Sequence, residues 1–485
     1  MRTEKDILGK LELPKEALYG IHSMRARQNF PYHSLFNISW YKTLGTVKKA
    51  CYLTIIDYYD QLKKNSLLQK YPYQLIEESV LEAMVSTCEE IESGTYFDHF
   101  IVPAISGGAG TSINLNMNEI IANASLLKLG KLPGEYNIID PIEHANIFQS
   151  TNDVIPTSLK VTAIKELMQL EKEINSTRST IESLEKKYRN TLRIGYTQMQ
   201  EAVPSSYGRL FGAYNDALSR DWWRVSKCFE RIKVVNLGGS AIGSGITVPR
   251  YFIMESVKKL QQITGMPVTR AENMHDATSN MDSLVEIHAI LKAHAVNLEK
   301  ITGDLRLLSS DLINRKEVVI PKKQTGSSIM PAKINPVIPE FIISSAHKTY
   351  SNDNMISNLC GQGCLDLNAY LPAIGHALLE SIQLLTACNI TLRENLLEGI
   401  IIAGEVSTKK LFESSSITTA LLPYIGYNKS AQLAEEMKNT KTDIFEANDN
   451  LQLMPRKKLE EILKPENLLM EGFSVKNMLD TDEDN

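Results

Sequence analysis

The sequence predicts an all-α protein built around a bundle of long helices, and three observations carry that prediction. Apolar residues recur at three- and four-residue steps over long stretches, the stretches follow one another in series, and loops rich in Gly, Ser, Thr and Asn separate them. The first stretch covers 161–188, where Val161, Ile164, Leu167, Met168, Ile174, Ile181, Leu184 and Tyr188 line one face and Glu, Lys and Ser fill the others. The second, 281–308, reads MDSLVEIHAILKAHAVNLEKITGDLRLL; the third surrounds 339–355 and the fourth covers 372–396. Helices longer than about 25 residues are rare outside coiled coils and bundles, so several in one chain point to an elongated helical core.

At 485 residues the chain is long enough for about three domains. The expected division is an N-terminal helical domain (1–149), a central long-helix bundle (150–405) and a small C-terminal helical domain (406–485). A formal net charge of −5 offers no basic stripe for nucleic acid. No apolar run reaches the about 18 to 20 residues of a membrane helix, and GIIIAG is interrupted by glycine. The start, MRTEKDILGK, is charged and lacks the apolar core of a signal peptide. Six scattered cysteines (Cys51, Cys88, Cys228, Cys360, Cys364, Cys388) without a CxxC pair suit reduced thiols in a cytoplasmic protein. Cys360 and Cys364 have the spacing to face one another on a helix, but no histidine pattern accompanies them, and no metal site is expected. The tail, DTDEDN, is an acidic end expected to fray.

Four polar segments interrupt the helical pattern: SGGAGTSINLNMNE (106–119), QSTNDVIPT (149–157), GYTQMQEAVP (195–204) and GSSIMPAKINP (326–336). All are expected as loops outside the core, where function tends to sit on a rigid scaffold. STND is also an ordinary helix start, with Ser150 or Thr151 capping and Asp153 favoured by the helix dipole. Pro331 and Pro336 deny the last segment a regular helix. Together the segments supply hydroxyls (Thr111, Ser112, Ser150, Thr151, Thr197, Ser327, Ser328), amides (Asn114, Asn152, Gln198, Asn335) and one cation, Lys333. Neutral donors with one cation suit a small anion bearing two carboxylates. There is no GxxxxGK[ST] phosphate loop and no Gly-x-Ser-x-Gly elbow. No histidine lies in or beside 326–336, which weighs against a Ser/His/Asp hydrolase.

GSSIMPAKINP resembles the GSSxMPxKxNP signature of the aspartase/fumarase superfamily, a highly specific pattern. GGAGTSINLNMNE, HANIFQSTNDVIPT, GYTQMQEAVP and NLGGSAIGSG match further family regions in order and spacing. The likeness runs from LYGIHSMRARQNF to LLPYIGYNKSAQLAEE and is strongest to the aspartate ammonia-lyase branch, through AGTS, QSTND, DATS and the glutamine of GYTQ.

The resemblance implies reversible anti-elimination of ammonia from L-aspartate to give fumarate. Ser327 would be the base that removes the Cβ proton, and the doubly charged aci-carboxylate would be the intermediate to stabilise. Thr111, Ser150, Thr151 and Ser328 would hold the carboxylate that becomes the aci-form. Thr197, Lys333 and Asn335 would hold the other, and Asn152 and Gln198 would contact the leaving amino group. Fumarases carry histidine where this chain has Gln198; ammonium departs as neutral ammonia without a proton donor, so glutamine suits an amine leaving group.

The family is homotetrameric, with a multi-helix core from four chains and active sites shared by three subunits. It needs no cofactor, and a divalent cation such as Mg enters only as an activator. Two further candidates are Arg25, matching an arginine near the substrate entrance or serving a salt bridge, and His144, near a second anion site or structural. His288 and His294, six apart, share no helix face; Trp222 and Trp223 are expected to anchor helix packing.

The chain departs from the family at Tyr196, where arginine is usual, at NLN for NMN, and before the signature, where a glycine-proline-arginine stretch is missing. The alternatives are a hydratase acting on malate, a lyase of a modified aspartate, or a non-catalytic structural or binding protein of the same fold.

Overall fold

The periodic stretches become the helices Thr151–Lys187, Asp282–Leu308, Val337–Gly361 and Leu371–Thr391, the last running on through a π-helical turn, Leu392–Leu396. The structure, a computed structural model, describes residues 1–72, 74–313 and 316–473; the DTDEDN tail lies outside them. Of the face predicted over 161–188, every residue is buried except Met168, which is 59% exposed. Helix makes up 62% of the protein, and among the described residues strands occur only as four two-stranded pairs, so the all-α class holds. Leu371–Gly399 is long and apolar enough to cross a membrane by length and composition, but 61% of its most apolar window is buried within the protein, as in a core helix.

The chain divides into two compact units: Met1–Glu171, Arg224–Ala293 and His347–Leu385 form one, and Lys172–Trp223, His294–Ala346 and Thr386–Asn485 the other. In the first, the helix Ile38–Lys64 packs against Glu78–Ser93 and Arg250–Thr264. Its Trp40 is fully buried, the indole N–H donating to Ser158 Oγ at 2.8 Å. A Cβ on Gly375 would lie 2.7 Å from that ring, so a glycine is what allows the approach. His288 is buried between Asp353 and Ser381, 3.0 and 2.9 Å from its two ring nitrogens. Cys360 ends up on the Val337–Gly361 helix and Cys364 beyond its end, so the two do not share a helix face.

The segment 106–119 corrects the expectation that polarity places it outside the core. Thr111–Lys128 is a helix, and Asn114, Asn116, Asn118 and Glu119 are all buried in it. Asn116 and Glu119 are matched to backbone groups and the amides of Asn114 and Asn118 find acceptors, which makes their burial tolerable although the Oδ1 atoms of Asn114 and Asn118 have no partner among the described residues. Asn116 Oδ1 accepts the Ile101 N–H at 2.8 Å and its amide donates to His99 O. Glu119 accepts from Gly20 N at 2.7 Å, His22 N at 2.8 Å, Ser23 N at 3.2 Å and the Ser23 hydroxyl, while Glu4 accepts from Ile21 N at 2.8 Å. Two distant carboxylates thus satisfy the free N–H groups of the helix Ile21–Asn29, which has no side-chain cap of its own. Burial pushes the Glu119 carboxyl up to about 7 against the pull of these donors.

In the second unit, GYTQMQEAVP is not a loop but most of a β-hairpin, Leu192–Thr197 paired with Gln200–Ser206. Leu192 and Ile194 share a core with Leu411, Ile417, Leu421 and Leu433 of the C-terminal helices. His294 is buried between Asp221 and Asn389. Trp222 lies under the Arg178 guanidinium, whereas Trp223 is 61% exposed.

Candidate active site

The residues singled out in the sequence fall into two groups, one in each unit. In the first unit, the helices Thr111–Lys128 and Thr151–Lys187 begin beside one another. Gly110, the cap of the first, has φ 94°, and a Cβ there would lie 3.1 Å from Ile155, so only glycine permits this approach comfortably. Asn114 ties the two starts together by donating to Thr151 Oγ1 at 3.3 Å and to Asn146 Oδ1 at 3.0 Å. The hydroxyls of Thr111, Ser150 and Thr151 therefore stand at two helix N-termini, where free N–H groups and the helix dipole favour an anion.

Ser150 and Asp153 form a reciprocal cap. Ser150 Oγ accepts the Asn152 N–H at 3.3 Å, and Asp153 Oδ1 accepts the Ser150 N–H at 2.9 Å. The other Asp153 oxygen accepts from Ser240 N at 3.0 Å. Asp153 is fully buried, which raises its carboxyl to about 7 despite these N–H donors.

Asn152 is positioned by a residue that the sequence did not reveal. Pro156, inside the helix, has no N–H for the carbonyl of Asn152 four residues earlier. The Asn236 side-chain amide donates to that carbonyl instead, at 2.9 Å, and also to Thr278 Oγ1 at 2.8 Å. The Asn152 amide donates to Ala241 O at 2.7 Å, in the NLGGSAIGSG segment. A proline within a helical pattern was the available signal, since it demands a donor from elsewhere. Asn236→Ala is expected to destabilise the protein by about 1–3 kcal/mol by orphaning this carbonyl; urea unfolding of both proteins checks it.

Beneath this start lies Lys48, wholly buried, its ammonium donating to Asn146 Oδ1 at 3.2 Å. Burial lowers its pKa from 10.5 to about 8. A base depressed in the folded state holds fewer protons than the unfolded chain between those values, so stability is lost as pH falls towards 8 and rises as pH climbs to about 10.5. Against Lys48→Met, the wild type should gain up to about 3 kcal/mol across that window, measured by denaturant unfolding at each pH.

Arg25 makes a two-pronged pair with Asp6, at 2.6 and 2.7 Å, and His144 Nδ1 accepts the Asp140 N–H at 2.8 Å. Both side chains hold local structure.

In the second unit, Gln198 and Met199 form the two-residue turn of the hairpin, with φ of 52° and 61°. Such a turn prefers Asn-Gly; two ordinary side chains in the left-handed region at an exposed tip are a strained arrangement of the kind that collects at functional sites. Thr197 and Gln198 are thereby presented to solvent. Tyr196 has the Lys410 ammonium 5.5 Å above its ring, so a cation stands beside this strand although Tyr196 replaces the family arginine.

The signature loop is closed on itself. Gly326 N–H donates to Lys333 O at 2.8 Å and the Asn335 amide donates to Gly326 O at 2.7 Å. A Cβ on Gly326 would sit 2.7 Å from Asn335 N, so the closure requires glycine. Inside it, Ser327 Oγ accepts the N–H groups of Ile329 at 3.2 Å and Met330 at 2.9 Å. Two backbone donors on one hydroxyl oxygen favour its ionised form. Ser328 and Lys333 are exposed on the same loop. A cavity of about 860 Å³ is lined by Met199 from the hairpin tip and by Lys333 and Asn335 from the loop, so this unit brings tip and loop to one space. Among the described residues no cluster of three His, Cys, Asp or Glu side chains is placed to hold a metal ion.

This combination of long helices, paired helix starts and a glycine-closed serine loop has direct counterparts. The family model described as Lyase matches residues 9–349, and that for the fumarase C C-terminus matches 417–470. The chain belongs to the aspartase/fumarase family of lyases. Within that class it is a carbon–nitrogen lyase. It is similar to the aspartate ammonia-lyase of Helicobacter pylori, 36% identical over 97% of this chain and 98% of the relative. The Escherichia coli K12 aspartate ammonia-lyase is 35% identical over 100% of this chain and 99% of its own length. Among solved structures, the fumarate lyase:delta crystallin of Brucella melitensis bound to cobalt superposes with a TM-score of 0.88 at 32% identity, covering 97% of this chain and 100% of that one. The class II fumarase of Schistosoma mansoni gives 0.85 at 26% identity, covering 96% and 98%.

Proposed function

We propose that the protein is an aspartate ammonia-lyase, converting L-aspartate reversibly to fumarate and ammonia. The observation that carries the reading is Ser327, whose oxygen is held by two backbone N–H groups within a loop closed by Gly326 and Asn335. Ser327, as alkoxide, takes the Cβ proton; the electron pair moves into the neighbouring carboxylate as the aci-form, then returns to form the double bond as the Cα–N bond breaks and ammonia leaves. Thr111, Ser150, Thr151 and Ser328 stabilise the aci-carboxylate, the step where charge develops. Thr197, Lys333 and Asn335 hold the second carboxylate, and Asn152 and Gln198 meet the amino group.

We assign the complete site to a homotetramer in which three subunits contribute loops, as the family resemblance implies. The steps of this elimination require no cofactor. Identity of 35–36% to aspartate ammonia-lyases over nearly the whole chain supports aspartate as substrate, and Gln198 supports an amine over hydroxide as leaving group. Incubation with L-aspartate or L-malate, following fumarate absorbance between pH 7 and 9, tests the assignment. Fumarate should form from aspartate; fumarate from malate alone would make the protein a hydratase.

A further inference from the structure

We propose that the flank of the 192–206 hairpin carries a second anion site, anchored by Arg193 and suited to a small dianion, either a dicarboxylate or inorganic phosphate. It uses none of the signature-loop residues and holds whether or not aspartate is the substrate.

The central observation is an unmatched charge. Arg193 is only 8% exposed, yet its Nε has no hydrogen-bond partner, and among the described residues no carboxylate pairs with its guanidinium. Its recorded neighbour is the Tyr207 ring, 5.5 Å from the guanidinium carbon. A buried guanidinium without a counter-charge is strongly unfavourable, and the acids nearby are already committed. Glu317 accepts from Lys410 at 2.8 Å, from Tyr207 at 3.0 Å and from Ser407 at 2.6 Å. Asp304 accepts from Tyr214 at 2.7 Å and pairs with Lys300.

Arg193 lines a cavity of about 1070 Å³. Five cationic side chains, Arg193, Arg209, Lys300, Lys410 and Lys438, face two carboxylates there, Glu201 and Asp304. Lys300 and Lys410 neutralise Asp304 and Glu317 respectively, and among the described residues Arg193, Arg209 and Lys438 have no carboxylate partner. The uncompensated positive charge therefore gathers on Arg193, Arg209 and Lys438, offset in part by Glu201, whose carboxylate accepts from the Ser414 hydroxyl at 2.6 Å. A fork of N–H donors on Arg193 matches a carboxylate or phosphate edge, and the added rim charges favour a dianion over a monoanion. Tyr196 and Thr197 line the same cavity, so an anion bound here sits directly behind the hairpin tip.

The test is thermal unfolding of the full chain against rising inorganic phosphate and, separately, succinate, at matched ionic strength. Four proteins are compared: wild type, Arg193→Met, Lys438→Gln and Lys333→Met. Ligand binding to the folded state alone raises Tm with concentration. In the wild type at least one anion should raise Tm beyond the sodium chloride control, and which one does so identifies the source. Arg193→Met should match or exceed the wild-type Tm without anion, because an unpaired buried charge is removed, and should lose the anion-dependent rise. Lys438→Gln, at the exposed rim, should shift half-saturation about threefold or more to higher concentration, and Lys333→Met should retain the rise. No rise in the wild type, an unchanged rise in Arg193→Met, an unchanged half-saturation in Lys438→Gln, or a rise abolished by Lys333→Met would each overturn the site.

Discussion

Ser327→Ala is expected to lower turnover by at least about 10³-fold while leaving the unfolding midpoint within error of the wild type. Base catalysis by a positioned side chain contributes on the order of 10²–10⁴ in rate, and Ser327 is the base in the proposed mechanism. The fold should not notice the change, because Ser327 is part-exposed and the N–H groups of Ile329 and Met330 that it accepts are open to water. Steady-state rates on L-aspartate, with urea unfolding of the same preparations, separate the two effects. A variant keeping more than a few per cent of activity places the base elsewhere.

The largest stability effect is expected at Glu119, far from the loop. Glu119→Ala removes the acceptor for Gly20, His22 and Ser23 N–H and for the Ser23 hydroxyl, all buried or nearly so. Each orphaned buried donor costs about 1–3 kcal/mol, and rearrangement recovers part of it, so a loss of about 3–5 kcal/mol is expected. The backbone at Gly20 approaches so closely that a Cβ would stand 2.7 Å from Glu119 Oε1, which leaves water little room to replace the carboxylate. Glu119→Gln, which keeps one accepting oxygen, should fall between wild type and Glu119→Ala. Denaturant midpoints that coincide for all three proteins would show that Glu119 does not cap the Ile21–Asn29 helix.

Periodicity made the long helices legible because their apolar faces are buried along most of their length, from Val161 to Tyr188 in the first case. The true start of that helix, Thr151, lies ten residues earlier, at the STND run that offered a helix cap, and Pro156 is carried inside it because Asn236 replaces the missing N–H donor. The Thr111–Lys128 helix was obscured for a different reason. Its asparagines and Glu119 are polar by composition but buried in fact, with partners such as Gly20 that lie 99 residues away along the chain. The 192–206 hairpin escaped notice because its turn has Gln198 and Met199 where a glycine or asparagine would announce it.

The candidate site shows the same division. Ser327, Lys333 and the Ser150–Asn152 run stand in compact motifs that the chain displays openly. The roles of Asn236, Lys48 and Arg193 depend on what each does or does not meet after folding, and no local pattern encodes that.

The most direct test of the proposed activity is to follow fumarate and ammonia together after adding L-aspartate to the purified protein at pH 7 to 9, with L-malate as the parallel substrate. Fumarate and ammonia should appear in equal amounts from aspartate, with no comparable fumarate from malate. Fumarate from malate alone, or none from either, would contradict the assignment.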